Sequence, residues 1–263
     1  MPPFASTSAP RSVRFDAALV VGAAILQILV SFLPSLGIGT PIGENSDQVS
    51  TLVTPAGWAF SIWGALYLGA LVFAVFQALP QQHDSALLAR VRRPAATAFL
   101  ANAGWATYVQ LDDVTVVSVL IILIGLGGAL VAMRRLTAAP QLSKQEQWCA
   151  ALPLTALAAW LTAATIVNIA SALRYHGVEA SASTAPLISA AVLIVGGLIA
   201  GTALACSKGC PPYAIVFLWA LAAIFAEGGQ LSSCVAIACA VAASIVIAGA
   251  LIGWRKGRAH RRS

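Results

Sequence analysis

The sequence predicts an all-α, polytopic membrane helix bundle with about eight transmembrane helices. Its composition is the first indication: 59% of the 263 residues are apolar and only 9% are charged, whereas roughly 25% are charged in an ordinary soluble domain. Apolar runs that approach the ~20 residues needed to cross a bilayer are the second. The distribution of basic residues between alternate loops is the third.

Eight apolar segments can be drawn along the chain, and two of them, the third and the seventh, are shorter than the others. The segments cover residues 17–36, 57–79, 95–111, 114–133, 149–173, 186–206, 212–227 and 232–254. The first is not followed by a small-residue cleavage site, so it is predicted to be an uncleaved span rather than a signal peptide.

Charge placement supports this count of spans. If the N-terminus is cytoplasmic, all of the 15 Lys and Arg residues except Arg174 fall in cytoplasmic segments, as the positive-inside rule requires. Both termini are therefore predicted to be cytoplasmic, in the cytoplasmic membrane if the protein is bacterial. Topology also accounts for the net charge of +6, so the expected partner is the lipid bilayer and not nucleic acid.

The chain is predicted to consist of four parts. They are a disordered cytoplasmic tail (1–15), a five-helix core (16–173), three additional transmembrane helices (174–254) and a basic cytoplasmic tail (255–263). No soluble domain is expected between the spans. The function therefore belongs to the spans and their loops.

The second span begins with the segment TPAGWAFSIWGALY, residues 54–67. Thr54 is predicted to be the N-cap, with Pro55 at the first helical position. Trp58, Trp63 and Tyr67 then lie on the first turns, either as walls of a pocket or as anchors at the membrane interface. The preceding loop, residues 37–56, is either a lid over that pocket or a plain connector.

Two further spans carry an aromatic and an amide side chain on one face. Asn102 and Trp105 are three residues apart, and Trp160, Ala164 and Asn168 follow one another at intervals of four. Each amide alone could serve only to form a hydrogen bond between two helices. If these faces converge with that of the second span, they form a pocket with stacking walls and neutral hydrogen-bonding groups, suited to a flat apolar ligand.

Several kinds of chemistry are not indicated. The centres of the spans carry no Lys, Arg, Asp, Glu or His, which argues against proton or ion coupling. No pair of catalytic side chains, phosphate-binding loop, zinc spacing or disulfide pattern is present, so no cofactor is required and an enzyme is not the favoured interpretation. Small residues four apart, such as Gly197 and Gly201, are predicted to pack helices within the chain or across a homodimer.

These residues resemble the tryptophan-rich sensory protein family, the TspO or translocator-protein group. Its second-helix pattern is similar to TPAGWAFSIWGALY, its third-helix Asn-x-x-Trp to Asn102 and Trp105, and its fifth-helix Trp-x-Thr-Ala-Ala-Thr-x-x-Asn to residues 160–168. The resemblance covers about residues 17–173, and longer bacterial relatives carry a similar SDxxxTLxTPAGxAFSIWG segment and extra helices. This chain departs from the short members at Ala56, where they have a second proline, and in a Trp58 to Trp63 interval of five residues rather than six.

The resemblance implies a five-helix bundle whose pocket binds porphyrins, and in animal relatives cholesterol. Carried over, the ligand-binding positions are Trp58, Trp63, Asn102, Trp105, Trp160, Ala164 and Asn168, to which Tyr67 is added from the residue pattern. The expected function is a membrane binding or sensory protein for a porphyrin-like or other flat apolar ligand, with porphyrin or haem as the tetrapyrrole. The alternatives are a facilitative transporter of a neutral or amphipathic metabolite, a porphyrin-degrading enzyme, and a scaffold subunit of a membrane complex.

Overall fold

The computed structural model describes residues 11–48, 50–178 and 180–259, and within these ranges the regular structure is entirely helical. Eight long helices alternate in direction. They are α1 (Arg11–Val30), α2 (Ile62–Ala78), α3 (Ala86–Leu111), α4 (Val116–Ala138), α5 (Leu152–Tyr175), α6 (Ala185–Cys206), α7 (Pro211–Leu231) and α8 (Ser233–Ala259). The predicted all-α membrane bundle is confirmed.

The predicted N-terminal tail needs a correction. Residues 1–10 of that tail lie outside the described residues, but residues 11–15 form the first turns of α1. The apolar run alone placed the start of the span at residue 17, because Arg11, Arg14 and Asp16 interrupt hydrophobicity without interrupting the helix. Asp16 accepts a hydrogen bond from Arg93 Nε at 3.1 Å and forms a salt bridge with it.

Among the described residues, seven helices are long and apolar enough to cross a membrane. The long helix outside this set is α3, which begins at Ala86 and so includes Arg90, Arg92 and Arg93 in its first turns. It nevertheless packs along α1 and α4. The third predicted span is therefore longer than residues 95–111, and its charged start explains why its apolar run was short.

The first five helices form a closed ring in which each helix packs against two others. The order around the ring is α2, α1, α3, α4, α5 and back to α2. Outside the ring, α7 packs on α5, α8 on α7, and α6 on α8. We call α6, α7 and α8 the outer trio. The domain boundaries predicted at residues 173 and 254 stay a prediction.

The two ends of the bundle differ in charge. One end, called here the basic end, carries the starts of α1, α3 and α5 and the ends of α4 and α8, with Arg93, Arg135, Lys144 and Lys208. The opposite end carries the loop that joins α1 to α2, and we call it the loop end. At the basic end Arg92 is buried, and it donates to Gln77 Oε1 at 2.9 Å and to the Gln82 carbonyl at 2.8 Å.

The start of α2 differs from the prediction that Thr54 caps it. Thr54 Oγ1 instead accepts a hydrogen bond from the Thr51 amide at 2.8 Å, which closes a turn in the loop. The chain then forms a 3₁₀ turn over Gly57–Ser61, and the α-helix begins only at Ile62. The N-cap prediction was wrong because a Thr-Pro pair can equally end a turn. The later start puts Trp58 on the 3₁₀ turn and Trp63 on the α-helix.

Candidate ligand-binding site

A cavity of about 50 Å³ lies in the loop-end half of the bundle, between α2, α3, α5 and α7. Three tryptophans from three different helices line it: Trp63 from α2, Trp105 from α3 and Trp160 from α5. Among the side chains that the structure describes, no ionisable one lines it. The remaining wall residues are apolar or neutral: Ile42, Pro55, Phe60, Val109, Val114, Ala163, Ala164, Val167, Asn168, Ser171, Ala220 and Ile224.

Trp63 is the centre of the aromatic wall. Its ring stacks on Trp105, with centroids 6.4 Å apart and planes 28° apart. It meets Trp160 edge to face, with centroids 5.9 Å apart and planes 84° apart. Tyr67 stacks on Trp63 at 5.4 Å. Because these separations are the ones that aromatic pairs prefer, the packing fixes the orientation of Trp63 beside the cavity.

Asn168 connects three helices of the ring at the side of the cavity. Trp105 Nε1 donates to Asn168 Oδ1 at 2.8 Å, and Asn168 Nδ2 donates to Ser118 Oγ on α4 at 2.9 Å. Ser118 in turn donates to the Thr115 carbonyl at 2.7 Å. Since both ends of the amide are occupied by neighbouring side chains, Asn168 orients Trp105 and holds α3, α4 and α5 together.

Two hydrogen-bond donors beside the cavity have no acceptor. The indole Nε1 atoms of Trp63 and Trp160 are buried, and among the described residues neither has a hydrogen-bond partner. A buried donor without an acceptor carries a desolvation cost of about 1–3 kcal/mol. Such groups are rare in folded proteins and call for an explanation. A bound ligand with an acceptor atom would explain them, because it would accept the hydrogen bonds of these two donors.

The loop between α1 and α2 forms the roof of the cavity, to which it contributes Ile42 and Pro55. It is fastened to the ring by Asn45 Nδ2, which donates to the Val109 carbonyl at 2.6 Å. It is fastened to α7 by the Ala56 amide, which donates to the Ala223 carbonyl at 3.1 Å. The loop therefore covers the cavity instead of only connecting two helices.

Of the eight predicted ligand-binding residues, the structure brings five to the cavity wall. They are Trp63, Trp105, Trp160, Ala164 and Asn168. That these side chains bind a ligand stays a prediction. Their convergence follows from the ring, which places the start of α2 beside the middle of α5.

The other three predicted residues lie elsewhere. Trp58 is 46% exposed and packs edge-on against Trp219 of α7, with centroids 4.8 Å apart. Tyr67 stands behind Trp63, and its hydroxyl lies 2.6 Å from Ser31 Oγ. Asn102 is buried inside the ring, where its Nδ2 donates to Gln27 Oε1 on α1 at 3.0 Å.

Sequence reasoning missed the contribution of α7. Ala220 and Ile224 of this helix close one side of the cavity, although the last three spans suggested only a packing surface. Their spacing of four residues shows that they share a face, but nothing in the sequence says which helix that face meets. Sequence reasoning also missed Ser118. It could have been found, because it is the one serine within the fourth predicted span, and a hydroxyl in a span needs a hydrogen-bond partner.

A family model described as TSPO-like protein matches residues 17–252. The chain belongs to the TSPO-like protein family. The match extends beyond the resemblance over residues 17–173, through α6, α7 and most of α8, so the family assignment takes in the outer trio of this TSPO-like protein. No curated protein and no solved structure matches the chain.

The family and the spans together make this TSPO-like protein a multi-pass integral membrane protein. Among the described residues, no group of three His, Cys, Asp or Glu side chains could hold a metal ion. The described residues of the cavity wall include no His, Cys, Met or Tyr, the usual axial ligands of haem iron. A ligand in this cavity would be held by ring stacking, by dispersion and by the two indole N–H groups.

Proposed function

We propose that this TSPO-like protein binds a flat apolar ligand, porphyrin-like or similar, in the aromatic cavity and serves as a membrane binding or sensory protein for it. The observation that carries the proposal is the convergence of three tryptophans from three helices on one cavity. Two of them, Trp63 and Trp160, have buried indole N–H groups without an acceptor. The ligand would stack on the rings and accept a hydrogen bond at its edge.

The size of the cavity restricts how the ligand enters. Drug-sized ligands occupy pockets of roughly 300–1,000 Å³, whereas this cavity measures about 50 Å³. A porphyrin therefore requires that the roof of Ile42 and Pro55 move outward, and part of its binding free energy would be spent on that movement. A smaller aromatic molecule would need a smaller displacement.

The neutral wall also bears on the choice of tetrapyrrole. Haem is recognised in proteins mainly through a side chain that binds its iron, and the wall residues supply none. We therefore expect protoporphyrin and haem to bind with similar affinity, by the faces of the macrocycle. Iron-dependent affinity would indicate a different site.

A titration in lipid nanodiscs tests the proposal. Protoporphyrin is added to the protein, and its own absorption band is followed, so that the signal does not depend on the number of tryptophans. Trp63→Phe and Trp160→Phe keep an aromatic wall but remove the indole donor, and each should raise the Kd about 2- to 13-fold, the value of one hydrogen bond. Trp58→Phe is the control and should leave the Kd unchanged. Nonsaturable binding, or equal effects of all three variants, would reject the site.

Facilitative transport remains the alternative hypothesis, and the geometry favours binding over passage. On α2 and α5 the cavity wall extends toward the basic end no further than Trp63 and Trp160. Saturable uptake into proteoliposomes without an ion gradient, faster than into protein-free liposomes, would support transport instead.

A further inference from the structure

A second and much larger cavity lies in the basic half of the bundle. Its volume is about 1260 Å³, and α2, the start of α5 and the start of α7 form its sides. We call it the basal cleft. Above it, the 3₁₀ turn before α2 contacts α7, where Trp58 packs on Trp219. Ala65 and Ile215 on the two sides are exposed, so the cleft opens to the bilayer.

The walls and the mouth of the basal cleft differ in chemistry. Its walls are apolar, with Leu66, Pro153 and Val216 among them. At the basic end the cleft is lined by the polar side chains of Lys208, Gln141 and Gln147, and by the buried Ser207. Within the described part of the chain, no Asp or Glu lines the cleft. This is the polarity of a lipid, with an apolar body in the bilayer and a polar group at its surface.

The backbone around Lys208 places its side chain at the mouth. Lys208 has φ 60°, and among the described residues it is the one non-glycine with a positive φ. The left-handed conformation is unfavourable for lysine, and such residues persist where the surroundings fix them, often at functional sites. Gly257 of α8 packs closely against Lys208, because a Cβ there would lie 3.1 Å from Lys208 Cβ.

The charge of Lys208 is not neutralised within the protein. Its Nζ donates to the Ala139 carbonyl at 2.8 Å, and among the described residues no carboxylate lies within 4 Å of it. An ammonium group has three donors, so two remain for an anion at the membrane surface. With no acidic side chain in the wall, the amine of a zwitterionic headgroup would find no counter-ion here.

We propose that the basal cleft binds an anionic phospholipid from the leaflet at the basic end. The acyl chains lie along the apolar walls, which offer few polar groups to hold ordered water and therefore suit hydrocarbon. The phosphate lies at Lys208, and the amides of Gln141 and Gln147 supply further donors. This site is separate from the aromatic cavity, with which it shares no wall residue.

Native mass spectrometry of the protein in detergent micelles tests the charge recognition. Phosphatidylglycerol or phosphatidylcholine with identical chains is added at equal concentration, and bound lipids are counted. We expect the anionic lipid to be favoured about fivefold, the value of one Lys near an anionic surface. Lys208→Asn suits the left-handed backbone, keeps a polar side chain and should abolish the preference.

Lys256→Gln is the matched control, since Lys256 is exposed at the same end but does not line the cleft, and it should keep the preference. A preference that survives Lys208→Asn, or that Lys256→Gln removes equally, would overturn the proposal, because the attraction would then be a general effect of the basic end. Equal binding of the two lipids by the unaltered protein would overturn it too.

A second pair of variants tests the place of binding. Ala65→Trp extends into the cleft from an exposed position, whereas Leu68→Trp lies on the same helix, is 64% exposed as leucine and does not line the cleft. Ala65→Trp should lower the number of bound lipids of both kinds, and Leu68→Trp should not. Unchanged binding by Ala65→Trp, with an unchanged melting temperature, would contradict the proposal. If the unaltered protein gives the mass of a dimer and Ala65→Trp abolishes it, the proposal is also contradicted, since the cleft would then hold a second copy of the chain.

Discussion

The five-helix ring and the outer trio are held together in different ways. In the ring, buried polar side chains join neighbouring helices, as Asn102 joins Gln27 and Asn168 joins Ser118. Among the described residues, no side-chain hydrogen bond links α6, α7 and α8 to one another, and the backbones of α6 and α8 instead approach closely at glycines. The hydrophobic effect does not drive helices together within lipid, so membrane proteins use both interhelical hydrogen bonds and close packing at small residues. Directional bonds thus join the helices of the ring, which supplies most of the cavity wall, while close packing at glycines joins α6 to α8.

Glycines of α6 and α8 produce the contact between these two helices. A Cβ on Gly197 would lie 2.8 Å from Ala242 Cα, and one on Gly249 would lie 2.7 Å from Gly201 Cα. Side chains larger than hydrogen therefore cannot be placed there without moving a helix. The small-residue spacing predicted either packing within the chain or a homodimer seam, and at Gly197 and Gly201 the structure uses it within the chain.

The helix α7 connects the two regions. Its Tyr213 is buried, and the hydroxyl donates to Thr162 Oγ1 on α5 at 3.0 Å. Trp219 Nε1 donates to the Ala59 carbonyl at 3.3 Å, beside the start of α2. The trio thus supports one wall and the roof of the cavity from outside the ring.

The largest loss of stability is expected from Gly249→Leu. The new side chain would meet the backbone of Gly201, and overpacking of this kind costs about 1–3 kcal/mol and occasionally more; we expect about 3 kcal/mol. The melting temperature in detergent measures it. Gly127→Leu is the control, because a Cβ at Gly127 has no atom within 4 Å. Equal losses in the two variants would contradict shape-based packing of the trio.

A smaller loss, about 2 kcal/mol, is expected from Asn168→Leu, which leaves Trp105 Nε1 without an acceptor and removes the bond that Ser118 Oγ accepts. A double-mutant cycle with Trp105→Phe should give a coupling of about 0.6–1.7 kcal/mol, the range for such bonds in membranes. Thr165→Val is the control, because the hydroxyl of Thr165 bonds only to Leu161 of its own helix. Absence of coupling would show that polar bonds do not specify the ring.

The smallest effect is expected at the joint between the two regions. Tyr213→Phe removes the bond to Thr162 and nothing else, so the loss should be about 0.6 kcal/mol. Hydrogen exchange should rise in α7 and in the roof loop and stay unchanged in α1. Increased exchange in α1 would mean that the ring depends on the trio for its fold.

Much of this architecture could be predicted from the sequence, because hydrophobic length and charge placement act locally. The helices and their number follow from hydrophobic length and charge. Spacing within single helices named the five wall residues on α2, α3 and α5, but it also named Trp58, Tyr67 and Asn102, which lie elsewhere. The start of α2 did not follow, since a Thr-Pro pair suits a cap and a turn alike, and the position of Trp58 depends on which forms. The place of Ala220 and Ile224 in the cavity wall did not follow from the sequence either, because an apolar helix face does not show which helix it packs against.

Binding of protoporphyrin by variants that fill or spare the cavity tests the central claim most directly. Ala164→Phe fills the cavity from its wall, whereas Ile169→Phe adds an aromatic ring to a position on the same helix that is 40% exposed. With both variants folded, as judged by melting temperature, we expect Ala164→Phe to weaken binding by about tenfold or more, a loss of about 1.4 kcal/mol, and Ile169→Phe to leave it unchanged. Undiminished binding by Ala164→Phe would contradict the assignment of the aromatic cavity as the ligand site.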